Sequence, residues 1–187
     1  PQDMNNLQRK LVSEYLTALC LDSKEKVACN GLRGLGFFLK ALPSEQKTAH
    51  FKALYVNLLK SNSPKTLWNA CASLRNVLCG LDKDGSVILD EEIYHQLLVI
   101  LHKSSNYKSQ IHAIKTLLAI KDKALLEKTF PNTIKACFEA SKLLEINEYD
   151  LLEYKSLDLL KTLLLELLFN RIVTISIGNE EFLSEVL

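Results

Sequence analysis

Three nine-residue stretches share one register, and that register constrains the chain more than anything else in it. Residues 27–35 read VACNGLRGL, residues 66–74 read TLWNACASL and residues 109–117 read SQIHAIKTL. Each sets a small or β-branched residue (Val27, Thr66, Ser109), then a small residue four positions on (Gly31, Ala70, Ala113), then a leucine four further (Leu35, Leu74, Leu117). Steps of four stay on one side of a helix, and a small residue in mid-stripe lets a second helix come close. The copies lie 39 and 43 residues apart. That interval holds two helices, and repeated helix pairs bury their apolar faces by stacking on one another.

The middle copy is the clearest helix. Ser63 can cap it by accepting from an unpaired N–H of the first turn. Pro64 follows at the first helical position, where its missing N–H costs nothing. Leu67, Cys71, Leu74 and Leu78 fall on one side, Trp68, Ala70 and Val77 widen the buried stripe, and Gly80 stops the last turn.

The rest of the chain repeats this grammar. Residues 4–20 predict an amphipathic helix with Leu7, Leu11, Tyr15, Leu16 and Leu19 inward. Residues 24–42 predict its partner, ended by Pro43; its Gly31, Gly34 and Gly36 each lower helix propensity by roughly 1 kcal/mol, which close packing explains. Residues 45–61 bury Phe51, Leu54, Tyr55, Leu58 and Leu59. Helices over 90–103 and 106–121 come next, then 123–145 with a break or kink forced at Pro131 near Phe130, then a long buried helix from about 149 to 175. Gly178-Asn179 marks a turn before a short last helix. The expectation is all-α: an α-solenoid of about four antiparallel helix pairs, with repeats at about 4–42, 44–80, 90–121 and 123–175 in a single domain over 1–187. A start at Pro1 with the first methionine at Met4 reads as an excised, C-terminal piece of something longer.

Composition agrees: 48% apolar and 24% charged residues exclude a disordered chain. Leu151–Ile175 is the most apolar stretch, but Glu153, Lys155, Asp158, Lys161, Glu166 and Arg171 interrupt it, so no membrane span is expected. The five cysteines form no CxxC pair and sit mostly at apolar helical positions, as reduced thiols of an intracellular protein, cytoplasmic or nuclear, would.

No catalytic constellation emerges, and no cofactor or metal is expected. GLRGLG (31–36) follows no strand, so it is not a phosphate loop. Asp82, Asp84 and Ser86 begin like a calcium loop, but Ile93 stands where the required Glu belongs. His95 and His102 share a helix face with no further ligand at metal spacing. Glu91 and Glu92 are helix-start charges, not an acid–base pair. Asn30, Asn69 and His112 occupy one repeat position, where side-chain to backbone bonds would form a ladder between repeats.

One surface pattern stands out. Lys26, Arg33 and Lys40 recur every seven residues; Lys65 aligns with Lys26 one unit on, and Lys108 and Lys115 align with Lys26 and Arg33 in the next. On stacked pairs they form a mildly basic strip along the second helices. They are the candidate partner-binding residues, weighed against plain solvated lysines. Residues from Glu139 onward carry a net −6 and the first 138 residues +7, so the front half would attract an acidic peptide or a phosphate backbone. The overall charge of +1 argues against a dedicated nucleic-acid binder.

A period near 40 with two helices per unit is that of HEAT and armadillo arrays. KVACNGLRGLGFFLKAL (26–42), KTLWNACASLRNVL (65–78), NYKSQIHAIKTLLAI (106–120) and DLLEYKSLDLLKTLL (150–164) resemble, in order and spacing, the C-terminal repeats of the HEAT repeat-containing protein 6 family. Trp68–Ala70, with Asn30-Gly31 one unit earlier, is the most specific part. Thr66-Leu67 and Ser109-Gln110 replace the Val-Arg pair usual in HEAT second helices. The resemblance implies an α-solenoid scaffold with no catalytic residues and a protein partner. A transport-receptor-like or nucleic-acid-associated solenoid using the basic strip is the alternative.

Overall fold

The computed structural model describes residues 3–42, 49–79, 89–142, 144 and 151–176. Among them are eight α-helices and no strand: α1 (Asn6–Cys20), α2 (Glu25–Lys40), α3 (Ala49–Leu59), α4 (Pro64–Cys79), α5 (Glu91–Lys103), α6 (Tyr107–Leu118), α7 (Lys123–Lys142) and α8 (Leu151–Ser176). The fold is all-α. The calcium-loop-like Asp82, Asp84 and Ser86, Pro43-Ser44, Gly80 and the tail beyond Ser176 lie outside the described residues.

Capping side chains set most of the starts. Asn5 accepts from the Gln8 N–H at 2.9 Å while the Gln8 side chain accepts from the Asn5 N–H at 2.9 Å, a reciprocal box that starts α1 two residues later than expected. Ser63 Oγ accepts from the Thr66 N–H at 3.2 Å, Asp90 from Ile93 at 3.1 Å, Asn106 from Ser109 at 3.1 Å and Asp122 from Leu125 at 3.1 Å.

The helices pack in two layers. Even helices follow one another, α2 on α4, α4 on α6 and α6 on α8; α3 packs on α5 and α5 on α7; each odd helix also packs on the even helix that follows it. The core lies between the layers. Leu32, Leu35, Leu39, Tyr55, Leu74, Tyr94, Leu97, Leu101, Ile114 and Leu117 have no solvent exposure. The stripe expected on α3, Phe51, Leu54, Tyr55, Leu58 and Leu59, is buried throughout.

Close approach depends on two glycines. A Cβ on Gly31 would stand 2.7 Å from Leu19 Cβ and 2.8 Å from the Cys20 nitrogen, and one on Gly36 would stand 2.6 Å from Ser73 Oγ and 2.8 Å from Ser73 Cα. So α2 meets α1 at Gly31 and α4 at Gly36, backbone against backbone. Ala70 and Ala113, in the repeat position of Gly31, are both fully buried.

Side-chain to backbone ties join the even helices, but at residues other than Asn30, Asn69 and His112; Asn69 reaches α2 through the Arg33 side chain instead. Ser73 Oγ donates to the Leu32 carbonyl at 2.7 Å, and Thr116 Oγ1 donates to the Cys71 carbonyl at 2.8 Å. Donors and acceptors are offset by the repeat spacings themselves, 43 and 39 residues. Ser109 Oγ reaches the Pro64 carbonyl at 3.1 Å. In the last step Arg171, 1% exposed, donates to the Leu117 carbonyl in the last turn of α6, a cation placed at the negative end of a helix. The odd helices add Tyr55 Oη with Ser73 Oγ at 2.7 Å and Tyr94 Oη with Thr133 Oγ1 at 2.9 Å. Asn30 is exposed and faces away from these ties.

Three further expectations give way. On α1, Leu7, Leu11 and Tyr15 are exposed at 66%, 56% and 65%, and Thr17 and Cys20 are the buried residues. The helix packs chiefly on α2, so only one flank is covered. Of the break or kink expected at Pro131, the break does not occur: α7 continues through it. Glu127 and Pro131 lie on the exposed side, where water can satisfy the carbonyl that Pro131 cannot, while Tyr94 holds Thr133 on the buried side. On α8, Leu160, Leu163, Leu164, Leu167 and Ile175 are buried, but Leu159, Leu165, Phe169 and Val173 are exposed. No described helix is long and apolar enough to cross a membrane.

Candidate functional site

The outward side of α2, α4 and α6 is built by the same periodicity that builds the core. On α2, positions 28, 31, 32, 35, 36, 38 and 39 face in. The seven-residue spacing of Lys26, Arg33 and Lys40 therefore keeps all three out, and all are exposed. Lys65 and Lys108 are exposed as well, and Lys115 is half-buried. The three helices hold seven cations, Arg75 being the seventh, and a single carboxylate, Glu25.

The three helices run parallel, because their ties advance together. Glu25 accepts from Ser63 Oγ at 2.5 Å while Leu32 accepts from Ser73; Pro64 accepts from Ser109 while Cys71 accepts from Thr116. The cations thus form one straight and one slanted row across the helices. Lys26, Lys65 and Lys108 stand at the first turns; Lys115, Arg75 and Lys40 stand progressively further along, Lys115 being level with Arg33.

Between the rows runs a column of flat side chains. The Arg33 guanidinium lies over the Trp68 ring at 5.6 Å, and Trp68 stacks on His112 at 5.5 Å with 29° between planes. Because α4 lies between α2 and α6, the two neighbours approach the indole from opposite sides. Arg33 Nε also donates to Asn69 Oδ1 at 2.9 Å, and Asn69 Nδ2 donates back to the Lys65 carbonyl at 2.7 Å. Burial, then the charges of Arg75 and Lys115, push the His112 imidazole down to about 4, so it is neutral in this column. Its buried Nδ1 has no hydrogen-bond partner among the described residues. Bonds from Ser63 and then Lys65, 3.3 Å away, lower the Glu25 carboxyl.

Of the candidate residues, the structure joins Arg33 to Trp68 and Asn69, and Lys65 to Glu25. Lys26, Lys40, Arg75, Lys108 and Lys115 meet no carboxylate among the described residues. Sequence reasoning placed Trp68 in the core stripe; it is half-buried and faces the cations. It also passed over Phe37, 66% exposed. The signal was available: Phe37 is four residues past Arg33 and three before Lys40, and Trp68 is three past Lys65 and seven before Arg75, so both share the cationic stripe.

Other groups show less. A half-open cleft between α5 and α7 is lined by Glu91, Glu92, Tyr94, His95, Leu98, Thr129 and Asn132. Its carboxylates are already engaged, Glu91 with Lys128 at 2.6 Å and Glu92 with Lys60 at 3.0 Å. Among the described residues no group of three or more His, Cys, Asp or Glu side chains could hold a metal ion. All five cysteines are free, with only Cys79 exposed. Burial pushes the Cys20, Cys71 and Cys137 thiols up to about 12, which leaves them unreactive.

No family profile matches the sequence, and no curated protein matches it. Among solved structures, the chain is similar to the crystal structure of an engineered protein, at a TM-score of 0.63 and 18% identity, over 98% of this chain and 69% of that one. At that identity the likeness concerns the fold alone.

Proposed function

We propose that the chain is a non-catalytic, α-solenoid scaffold of HEAT type, related to the HEAT repeat-containing protein 6 family, which presents the outward side of α2, α4 and α6 to a protein partner. The packing of each even helix on the next, and ties spaced at the repeat intervals, support the solenoid reading. In such an array the second helices line one continuous surface. Free, mostly buried thiols fit a reducing compartment, cytoplasm or nucleus.

One observation carries the functional reading: seven cations against one carboxylate on three consecutive helices of a layer. Chains with +1 overall do not gather unpaired cations on one side by composition alone. The test is affinity purification of the intact protein, followed by mass spectrometry, in two forms. One carries Lys26→Glu, Arg33→Glu, Lys108→Glu and Lys115→Glu; the other carries Lys103→Glu and Lys135→Glu in the odd layer. Loss of the same partners from the first form only is expected. If every partner of the unaltered protein also binds the first form, the reading fails.

A further inference from the structure

We propose that this surface takes one particular kind of ligand: an extended acidic peptide segment, about seven residues long, with a carboxylate at every third position, lying across α2, α4 and α6. The inference rests on the scaffold reading and adds the occupant.

The spacing follows from the helices. Packed helices lie about 8–10 Å apart, and an extended chain advances ~3.3 Å per residue. One step from helix to helix therefore matches about three residues. Lys26, Lys65 and Lys108 offer one cation per helix along such a path, Lys65 being shared with Glu25, and Lys115, Arg75 and Lys40 offer a second, slanted line beside it. The Arg33–Trp68–His112 column is held from both sides, so the floor between the rows is preorganised.

The same column argues against a nucleic acid. Single strands bind by stacking bases on open aromatic faces. Trp68 is the chain's single tryptophan, and Arg33 and His112 approach it from opposite sides, which leaves Phe37 as one isolated open ring on this side rather than a run of stacking platforms. A long polyanion would also run on to α8, where exposed Asp158 and Glu166 offset exposed Lys155 and Lys161 and the cationic strip ends. A short acidic segment meets neither obstacle, and seven cations with one carboxylate give it charge complementarity.

The single tryptophan supplies the readout. The 187-residue chain is titrated, by Trp68 emission and by calorimetry, with three probes: a nine-residue peptide with Glu at positions 1, 4 and 7 among Gly and Ser, a peptide of the same composition with its three Glu contiguous, and single-stranded oligouridine. The spaced peptide is expected to bind at least tenfold more tightly than the contiguous one and to shift Trp68 emission. Lys108→Glu and Arg75→Glu, made separately, are each expected to weaken it at least tenfold at unchanged helical circular dichroism, whereas Lys135→Glu leaves it unaltered. Three results would overturn the proposal: no preference for the spaced peptide, tighter binding of oligouridine, or self-association of the chain that the same reversals abolish. If the spaced peptide fails while the reversed protein still loses its partners from cells, the occupant is wrong and the scaffold reading stands. If partners also survive reversal, both fall.

Discussion

The two layers solve one packing problem by different means. In the even layer, α2, α4 and α6 are joined inside by neutral ties: Ser73 to the Leu32 carbonyl, Thr116 to the Cys71 carbonyl and Ser109 to the Pro64 carbonyl. In the odd layer, α3, α5 and α7 share the buried Tyr94–Thr133 pair and are otherwise joined outside. Lys52 pairs with Asp90, Lys60 with Glu92 at 3.0 Å and Lys128 with Glu91 at 2.6 Å. The even layer has a glycine, Gly36, at its α2–α4 contact, and α3, α5 and α7 contain none. Close backbones allow inner ties, and inner ties leave most of the outer charges unengaged, the Lys65–Glu25 pair excepted. A layer stitched from within keeps its surface for a ligand; a layer stitched from without consumes it.

The strongest way to break this contrast is to force the even layer apart. Gly36→Val would press a branched side chain onto the Ser73 backbone 2.8 Å away. A loss of about 3 kcal/mol is expected, from overpacking and poorer helix propensity together. Gly34→Ala is the control: its Cβ would meet only the flexible end of Leu16 at 3.1 Å, and it should leave stability unchanged or slightly raised. Urea unfolding of the two variants measures both. Equal losses would mean that close approach is not what distinguishes the layer.

Next come the ties themselves. Ser73→Ala removes the donor to Leu32 and leaves the fully buried Tyr55 hydroxyl without its Ser73 partner. About 2 kcal/mol should be lost. Thr116→Val keeps the shape and removes one hydroxyl that bonds Cys71 and His112 carbonyls, for about 1 kcal/mol. Denaturant midpoints at constant m-value are the readout.

These ties also mark where the sequence stopped being legible. Helix positions, the glycine contacts and the alignment of Lys26, Lys65 and Lys108 follow from local periodicity, which any single helix displays. Ser73 and Thr116 look like ordinary polar residues, because a tie is a property of two helices, and one sequence shows only one at a time. The exposed flanks of α1 and α8 were missed for a related reason. Leu7 and Phe169 carry an apolar pattern, but a pattern says which side wants cover, not whether a neighbour supplies it. Trp68 sits at the edge of its stripe, where burial and exposure differ by a small rotation about the helix.

A smaller effect separates the layers by pH. His112 ionises near 4 when folded and near 6.5 when unfolded. Between those values the unfolded chain binds more protons, so stability falls as pH drops from about 6.5 to about 4. Discounted for the partial exposure of the ring, the loss is on the order of 1 kcal/mol. Thermal unfolding of the protein and of His112→Phe across this window should show the variant losing less stability toward acid pH, because it lacks this component of the decline. Parallel curves would mean that the column tolerates a charged imidazole.

The smallest effect bears most directly on the contrast. Removing odd-layer cations, as in Lys60→Met with Lys128→Met, breaks two exposed interhelix pairs and should cost about 0.5–1 kcal/mol, less at high salt. Reversing even-layer cations, as in Lys26→Glu with Lys108→Glu, breaks no ion pair among the described residues. It also relieves repulsion among seven cations held near one carboxylate. Stability should then stay within about 0.5 kcal/mol of the parent and tend upward at low salt, even as binding of acidic peptide is lost. Surface charges that can be reversed without harm to the fold, but not without harm to binding, are retained for the ligand. A marked drop in stability on reversal would place them in the architecture, and the two layers would then differ in chemistry without differing in purpose.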